Sequence, residues 1–306
     1  MTIATLTLNP ALDLTTCTDK VVPTHKLRCI APRYDPGGGG INVARVIHTL
    51  GGAATAVFPR GGPAGTMLEA LLRDAGVTIA PVAIEGNTRE SFTVDEGKTG
   101  LQYRFVLPGA ALAEDEVAAL LAALVAAPVT HIVVSGSLPP DCDPAIIARI
   151  GALAREKSAR LVVDTSGPAL AACEGAGVYL LKPSLREVED LLGAPIADEA
   201  GEIAAAQALR ERGFAEVVVL SLAERGALLV AEGTELRLPA IKVATKSAVG
   251  AGDSMVAAIT LALSRGKSLE DALRYGIAAG AATLMTPATE LARAADVERL
   301  YAAAFA

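Results

Sequence analysis

Along the chain, short apolar runs alternate with segments whose apolar positions recur every three or four residues. Ile3–Leu8 is a β-rich run closed by Asn9-Pro10, the signature of a strand running into a turn. Residues 14–34 carry Thr, Val and Leu among scattered basic residues and are broken by Pro23, which predicts weak, exposed strands. Four glycines after Pro36 precede a segment, 41–50, whose Val43, Val46, Ile47 and Leu50 keep helical spacing. Ala54–Phe58 reads as a strand and Thr66–Asp74 as a helix. Arg89–Val94 and Leu101–Leu107 predict two strands around the turn 95–100.

Beyond residue 110 the two periods alternate regularly. Helix 113–126 precedes strand 131–135, and helix 144–157 precedes strand 161–165. Strand 178–181 precedes helix 184–192, and helix 202–212 precedes strand 216–221. Residues 226–238 predict an antiparallel hairpin, and helices fill the chain after Gly252. Such alternation predicts an α/β fold with a doubly wound, mostly parallel sheet flanked by helices. No internal repeat or low-complexity linker divides the chain, so residues 1–306 read as one domain. Segments 14–34 and 87–107 are expected to pair as a small β-sheet lid.

Composition narrows the function. With 306 residues, 52% hydrophobic and 20% charged, the chain builds a sizeable core and is not a disordered segment. Aromatics are 3% and Trp is absent, so the core is Ala, Val, Leu and Ile, with no platform for stacking single-stranded bases. The 27 basic and 34 acidic residues give a net charge of −7, which argues against nucleic acid as a partner. A small anionic substrate remains compatible if local positive charge meets it. Cys17, Cys29, Cys142 and Cys173 form no C-x-x-C and read as free thiols of a reducing compartment. The N-terminal stretch lacks a basic signal-peptide region, and the longest apolar run, Val117–Val129, is too short for a bilayer and holds Pro128. A cytoplasmic protein without a membrane partner is expected.

Candidate chemistry gathers in five places. In Ser247–Met255, Gly250 and Gly252 allow a tight turn at a helix start, whose free N–H groups and dipole favour an anion. Asp253 there either takes a proton from an attacking hydroxyl or simply caps the helix. The run Gly37–Gly40 followed by Asn42 permits close backbone approach to a ligand, beyond what a turn needs. Asp13, after the first strand, is placed to accept hydrogen bonds from sugar hydroxyls or is an ordinary turn residue. Lys26, Arg28, Arg89 and Arg104 lie on the two lid segments, where they form either a basic cover or solvated surface charge. Lys182 ends a strand, and Glu187 one helical turn later holds a metal through water or completes a capping box with Ser184. Gly266-Lys267-Ser268 lacks the first glycine of a P-loop, since position 261 is Leu. Met255 stands where a dinucleotide fingerprint needs its third glycine. His25, His48 and His131 are too scattered for a triad or metal set.

Read in order, TLTLNPALD, KLRCIAPRYDPGGGGINVAR, QYRFVLPGAAL, VVSGSLPP, LLKPSLREVE and AVGAGDSMVAA resemble the PfkB family of ribokinase-like sugar kinases over essentially the whole chain. The resemblance implies ATP- and magnesium (Mg2+)-dependent phosphorylation of a ketohexose phosphate. The four-glycine form is similar to the branch that converts fructose 6-phosphate, at its 1-hydroxyl, to fructose 1,6-bisphosphate. Relatives acting on tagatose 6-phosphate or fructose 1-phosphate more often carry Lys at the position of Gly39, and both substrates stay open as alternatives. A non-catalytic sugar-phosphate sensor on the same fold would lack the base, whereas Asp253 is present. A nucleoside kinase is disfavoured by the basic lid set.

By position, the resemblance makes Asp253 the base and Gly250, Ala251 and Gly252 the anion hole. Asp13, Gly38, Gly39, Asn42 and Ser137 hold the sugar, and Lys26, Arg89 and Arg104 address its phosphate. Lys182, Ser184, Glu187 and the loop Ser221, Ala223 and Gly226 serve the nucleotide, with Glu187 at the metal. It also implies a homodimer formed through the lid. The chain departs from the family pattern at Ser184, where Asn is usual, at Ala223, where Gly is usual, and at Ala248, where Thr is usual. Ser247 stands where many relatives have Asp beside a monovalent cation.

Overall fold

Three apolar strands end on a polar residue, and this is how the sheet presents chemistry at one edge. In the computed structural model, which describes residues 2–305, β1 (Ile3–Leu6), β8 (His131–Ser135) and β11 (Val217–Ser221) are buried along nearly their whole length, and β9 (Arg160–Asp164) is buried between its two end residues. Strands covered on both faces need no polar alternation. Their carboxyl ends at Ser135, Asp164 and Ser221 all point to the same edge, because these strands run parallel through β10 (Leu180–Leu181).

The sheet has nine strands. From β1 it continues on one side through β4 (Ala54–Arg60) to β5 (Thr78–Ala83), and on the other through β8, β9, β10 and β11. Antiparallel β12 (Ala227–Ala231) and β13 (Thr234–Leu238) close the far edge. Successive side chains feed two cores: Val217 and Val219 face one, Val218 and Leu220 the other. The first core is covered by α1 (Gly39–Thr49), α2 (Gly62–Asp74), α8 (Ala251–Ser264), α9 (Leu269–Leu284) and α10 (Ala294–Phe305). The second is covered by α3 (Glu114–Leu124), α4 (Ile146–Glu156), α5 (Gly167–Ala171), α6 (Leu185–Leu192) and α7 (Glu199–Glu211). The direction of winding reverses between β1 and β8, and in open α/β sheets ligands bind beyond the strand ends at such a point.

A separate four-stranded sheet rises from that edge, in the order β3 (Arg33–Gly37), β2 (Ala11–Thr18), β6 (Arg89–Glu96), β7 (Gln102–Val106). β2 and β6 run parallel from Ala11 and Arg89, so both start at the crevice. The structure differs from the sequence pattern in several places. Residues 19–32 form no strand; hydrogen bonds from Ile30 N to the Cys17 carbonyl and from Thr18 Oγ1 to the Arg28 carbonyl merely lay them along the end of β2. β5 is absent from the sequence pattern, because Pro81 interrupts it; a sheet edge tolerates the missing donor. α2 starts four residues early, with Pro63 in its first turn.

Large exposed hydrophobics concentrate on this small sheet and its loop: Leu27, Ile30, Leu101, Phe105, Val106 and Leu107. All four cysteines are free. Among the described residues no helix is long and apolar enough to cross a membrane.

Candidate active site

The turn before α8 is built by backbone conformation and one hydroxyl. Gly250 is the N-cap, at φ 78°, a left-handed value that favours glycine. Ser247 Oγ donates to the Ala288 carbonyl (2.9 Å) and accepts from Val249 N–H (3.2 Å), which closes the turn. The Ala251 N–H is directed at the Ala248 carbonyl (3.4 Å). The N–H groups of Gly250, Gly252 and Asp253 meet no acceptor among the described residues. Three free donors at the positive end of a fourteen-residue helix form an anion cradle.

Asp253 is the third residue of α8 and makes no cap hydrogen bond, so the capping explanation does not hold. Its carboxylate turns away from its own helix. Oδ2 accepts from Asn42 Nδ2 (2.9 Å), and Oδ1 accepts from Ser135 Oγ (3.2 Å). Burial, with the Asp164 carboxylate adding to it, pushes Asp253 up to about 6; Asn42, Lys182 and Ser135 oppose that rise. Lys182 Nζ and Asp164 Oδ1 pair at 3.0 Å with little exposure. Burial works against the Lys182 charge, but Asp164, then Glu187 and Asp253, hold it protonated. A Cβ on Gly252 would lie 3.6 Å from Lys182 Nζ, so the ammonium stands over the anion cradle.

The glycine run brings α1 against this centre. Gly38 takes φ 116° at the N-cap of α1. A Cβ on Gly39 would sit 2.6 Å from the Ser135 carbonyl carbon and 2.7 Å from Gly136 N, so the two backbones touch where β8 ends. Asn42, on the first turns of α1, is buried and reaches Asp253.

On the lid side, Asp13 pairs in register with Asp35 on β3 and Ser91 on β6. Burial raises its carboxyl to about 6, helped by Asp35 and opposed by Arg89, Arg104 and Arg45. Arg89 donates to the Asn9 carbonyl (3.2 Å from Nη2), the Leu107 carbonyl (3.3 Å) and Ser91 Oγ (3.3 Å), so it is anchored at the base of the lid. Arg104 is exposed on β7 opposite Thr93. Ser137 is exposed beyond β8, its hydroxyl accepting from Asn9 Nδ2 (3.2 Å).

The other flank joins Lys182–Glu187 to the β11–β12 turn. Ser184 and Ser221 form a parallel bridge, and Ser221 N donates to the Pro183 carbonyl (2.9 Å). The Glu187 carboxylate accepts from Ser184 N (2.7 Å) while Ser184 Oγ accepts from Glu187 N (3.3 Å), a complete capping box. Ala223 adopts φ 52°, a left-handed value that favours glycine. Gly226, at φ 95°, leaves no room for a Cβ, which would approach Ala240 N to 2.6 Å.

Thus Asp253, Asn42, the glycine turns and Lys182 surround one crevice. Asp13, Arg89 and Arg104 form its lid side, and Ser184, Glu187 and the 221–226 turn its opposite flank. Lys26 is not among them. It lies exposed in the 19–32 loop at the distal end of β2, with Asp13 to Thr18 alone spanning about 17 Å of strand. Sequence reasoning misses Asp164, Ser135 and Arg45. The first two end strands at the carboxyl edge, and that position is the available signal.

Known proteins resemble this chain in sequence and fold. The pfkB family carbohydrate kinase model matches residues 7–293. ATP-dependent 6-phosphofructokinase isozyme 2 of Mycobacterium tuberculosis is 51% identical over 301 residues, covering 98% of this chain and 88% of that protein. The isozyme 2 of Escherichia coli is 42% identical over 302 residues, covering 98% of each. The crystal structure of the Escherichia coli phosphofructokinase-2 in complex with fructose-6-phosphate superposes with a TM-score of 0.93 at 41% identity, over 99% of this chain and 98% of that one.

Proposed function

The chain belongs to the pfkB family of carbohydrate kinases, and from that premise we propose that it phosphorylates fructose 6-phosphate at its 1-hydroxyl, with ATP as donor, to give fructose 1,6-bisphosphate and ADP. The observation that carries this reading is Asp253: a carboxylate free of any capping duty, beside three unpartnered N–H groups. The 1-hydroxyl oxygen attacks the γ-phosphorus in line, the new P–O bond forms as the bond to the β-phosphate oxygen breaks, and Asp253 takes the hydroxyl proton. The N–H groups of Gly250, Gly252 and Asp253 stabilise the negative charge developing on the transferred group. Lys182, kept charged by Asp164, adds a cation on the nucleotide side.

Asp13 and Asn42 orient the sugar, with Gly38 and Gly39 letting it approach the backbone. Arg89 and Arg104 meet its phosphate. Magnesium neutralises charge on the nucleotide phosphates when bound, and Glu187 would hold it through water. Among the described residues no three acidic, His or Cys side chains converge, a donor set that suits an ion carried in largely by phosphate oxygens and water.

The lid also supports a homodimer. Among the described residues, six of the eight large exposed hydrophobics lie on it, with Ile30 and Val106 67% and 62% exposed, and such clustering marks an interaction surface. Pairing would cover the open edges β3 and β7. Sedimentation tests this: Phe105→Asp should yield monomer, and an unchanged dimer would move the interface elsewhere.

A coupled ADP-release assay over a panel of sugars and sugar phosphates tests the reaction. Fructose 6-phosphate should show the highest kcat/KM, far above free fructose. Equal efficiency on the two would refute the cationic lid, and a preference for tagatose 6-phosphate or fructose 1-phosphate would reassign the substrate.

A further inference from the structure

We infer that Arg45 positions the catalytic base: its guanidinium fixes the Asn42 side-chain amide in the one orientation that presents N–H to Asp253. This rests on the kinase reading for its kinetic consequence, but not for its structural one.

Asn42 and Arg45 are three residues apart on α1 and therefore share a face. Arg45 Nη1 donates to Asn42 Oδ1 (3.3 Å) and to the Pro36 carbonyl (2.9 Å). An asparagine amide has an acceptor end and a donor end, and a guanidinium offers only donors. With Oδ1 held by Arg45, Nδ2 faces Asp253 Oδ2 at 2.9 Å. Flipping the amide would set N–H against guanidinium N–H and carbonyl oxygen against carboxylate, losing both contacts at once. The Pro36 carbonyl also ties Arg45 to the start of the glycine run, so the same side chain links the glycine run to the base.

The charge needed for this survives burial. Desolvation lowers the Arg45 guanidinium, but Asp35 and Asp13 support it against Arg33. No deprotonated arginine is available to a protein, so the donor set is permanent. Asp253 is otherwise faced by Ser135 from β8, Asp164 from β9, and Lys182 after β10, with Glu187 acting on Asp164 and Lys182. Ser135 acts on both carboxylates, Asp253 and Asp164, through a single hydroxyl whose one proton serves either. Asn42 is thus the directional donor to the base, and Arg45 sets its direction without touching the reacting atoms.

The test is a cycle of Arg45→Met, Asn42→Ala and the double variant in the full chain, read two ways. In ADP-release assays Arg45→Met should lower kcat about tenfold, with KM for ATP held within about twofold, the scale of one lost charge-assisted hydrogen bond. In 13C NMR of the ligand-free protein, the Asp253 carboxyl should titrate at higher pH in Arg45→Met, because the carboxylate has lost an ordered donor. In the Asn42→Ala background, Arg45→Met should add little to either readout. Arg45→Lys, which keeps charge beside Asp13 and Asp35, serves if the Met variant does not fold, with a smaller shift in the same direction. An unchanged Asp253 titration, or an equal shift with and without the Asn42 amide, overturns the positioning role. Failure of the wild type on every sugar phosphate would instead overturn the reaction and leave the NMR arm readable.

Discussion

Replacing Asp253 by Asn separates chemistry from stability, and the structure gives both signs. The carboxylate accepts from Asn42 Nδ2 and Ser135 Oγ and caps nothing. In Asp253→Asn the new amide keeps its oxygen toward Asn42, while its NH2 faces a hydroxyl able to rotate and accept. The contacts survive, but no group remains to take the proton. General base catalysis contributes about 10²–10⁴-fold, so kcat should fall by at least about a hundredfold on that scale. Stability moves the other way. The folded-state value is raised from 3.8 to about 6, so ionising Asp253 opposes folding as pH rises through that window. The rise corresponds to a penalty of up to about 3 kcal/mol, present above pH 6 and absent below the unfolded value near 3.8. Asp253→Asn should therefore be more stable than wild type in urea melts at pH 8, and the difference should shrink towards pH 4. Loss of activity with gained stability is the expected pair. A variant that retains kcat within tenfold, in a folded protein that still binds ATP, refutes the base; a variant destabilised at pH 8 refutes the environment ascribed to it.

Three further outcomes rest on the same contacts. Activity should decline as pH falls through about 6, because Asp253 and Asp13 both protonate near there; a pH–rate profile flat down to pH 5 contradicts this. Glu187→Gln should leave thermal stability nearly unchanged, since Gln completes the same capping box. The magnesium needed for half-maximal rate should rise, and an unaltered magnesium dependence removes Glu187 from the metal. Gly39→Ala drives a Cβ into the Ser135–Gly136 backbone and should cost about 1–3 kcal/mol, as overpacking does, with a larger loss of kcat than of nucleotide binding. Wild-type stability and rate in that variant would show that the two backbones do not need their close approach.

Continuous apolar runs and three-to-four-residue periods are local properties of a chain, so the layered α/β architecture was legible in the amino acids alone. So were Asp253, Asn42 and the glycine turns, since residues at a helix start carry their chemistry in their neighbours. The same local view could not decide between base and cap for Asp253. That turned on Gly250 taking the cap position in a left-handed conformation and on donors arriving from 211 and 118 residues away, at Asn42 and Ser135. For Glu187 the fold shows the capping box, its carboxylate bonded to Ser184 N, which the sequence had offered beside a metal role. Asp164 carried no local motif; burial beside Lys182 gave it meaning. Lys26 looked equivalent to Arg89 and Arg104 in sequence, yet the 19–32 loop holds it at the far end of the lid. β5 escaped notice because only its place at the sheet edge makes Pro81 acceptable. Charge, burial and hydrogen-bond direction are properties of pairs, and these pairs exist only once the strands beside β1 and β8 have brought distant segments to one crevice.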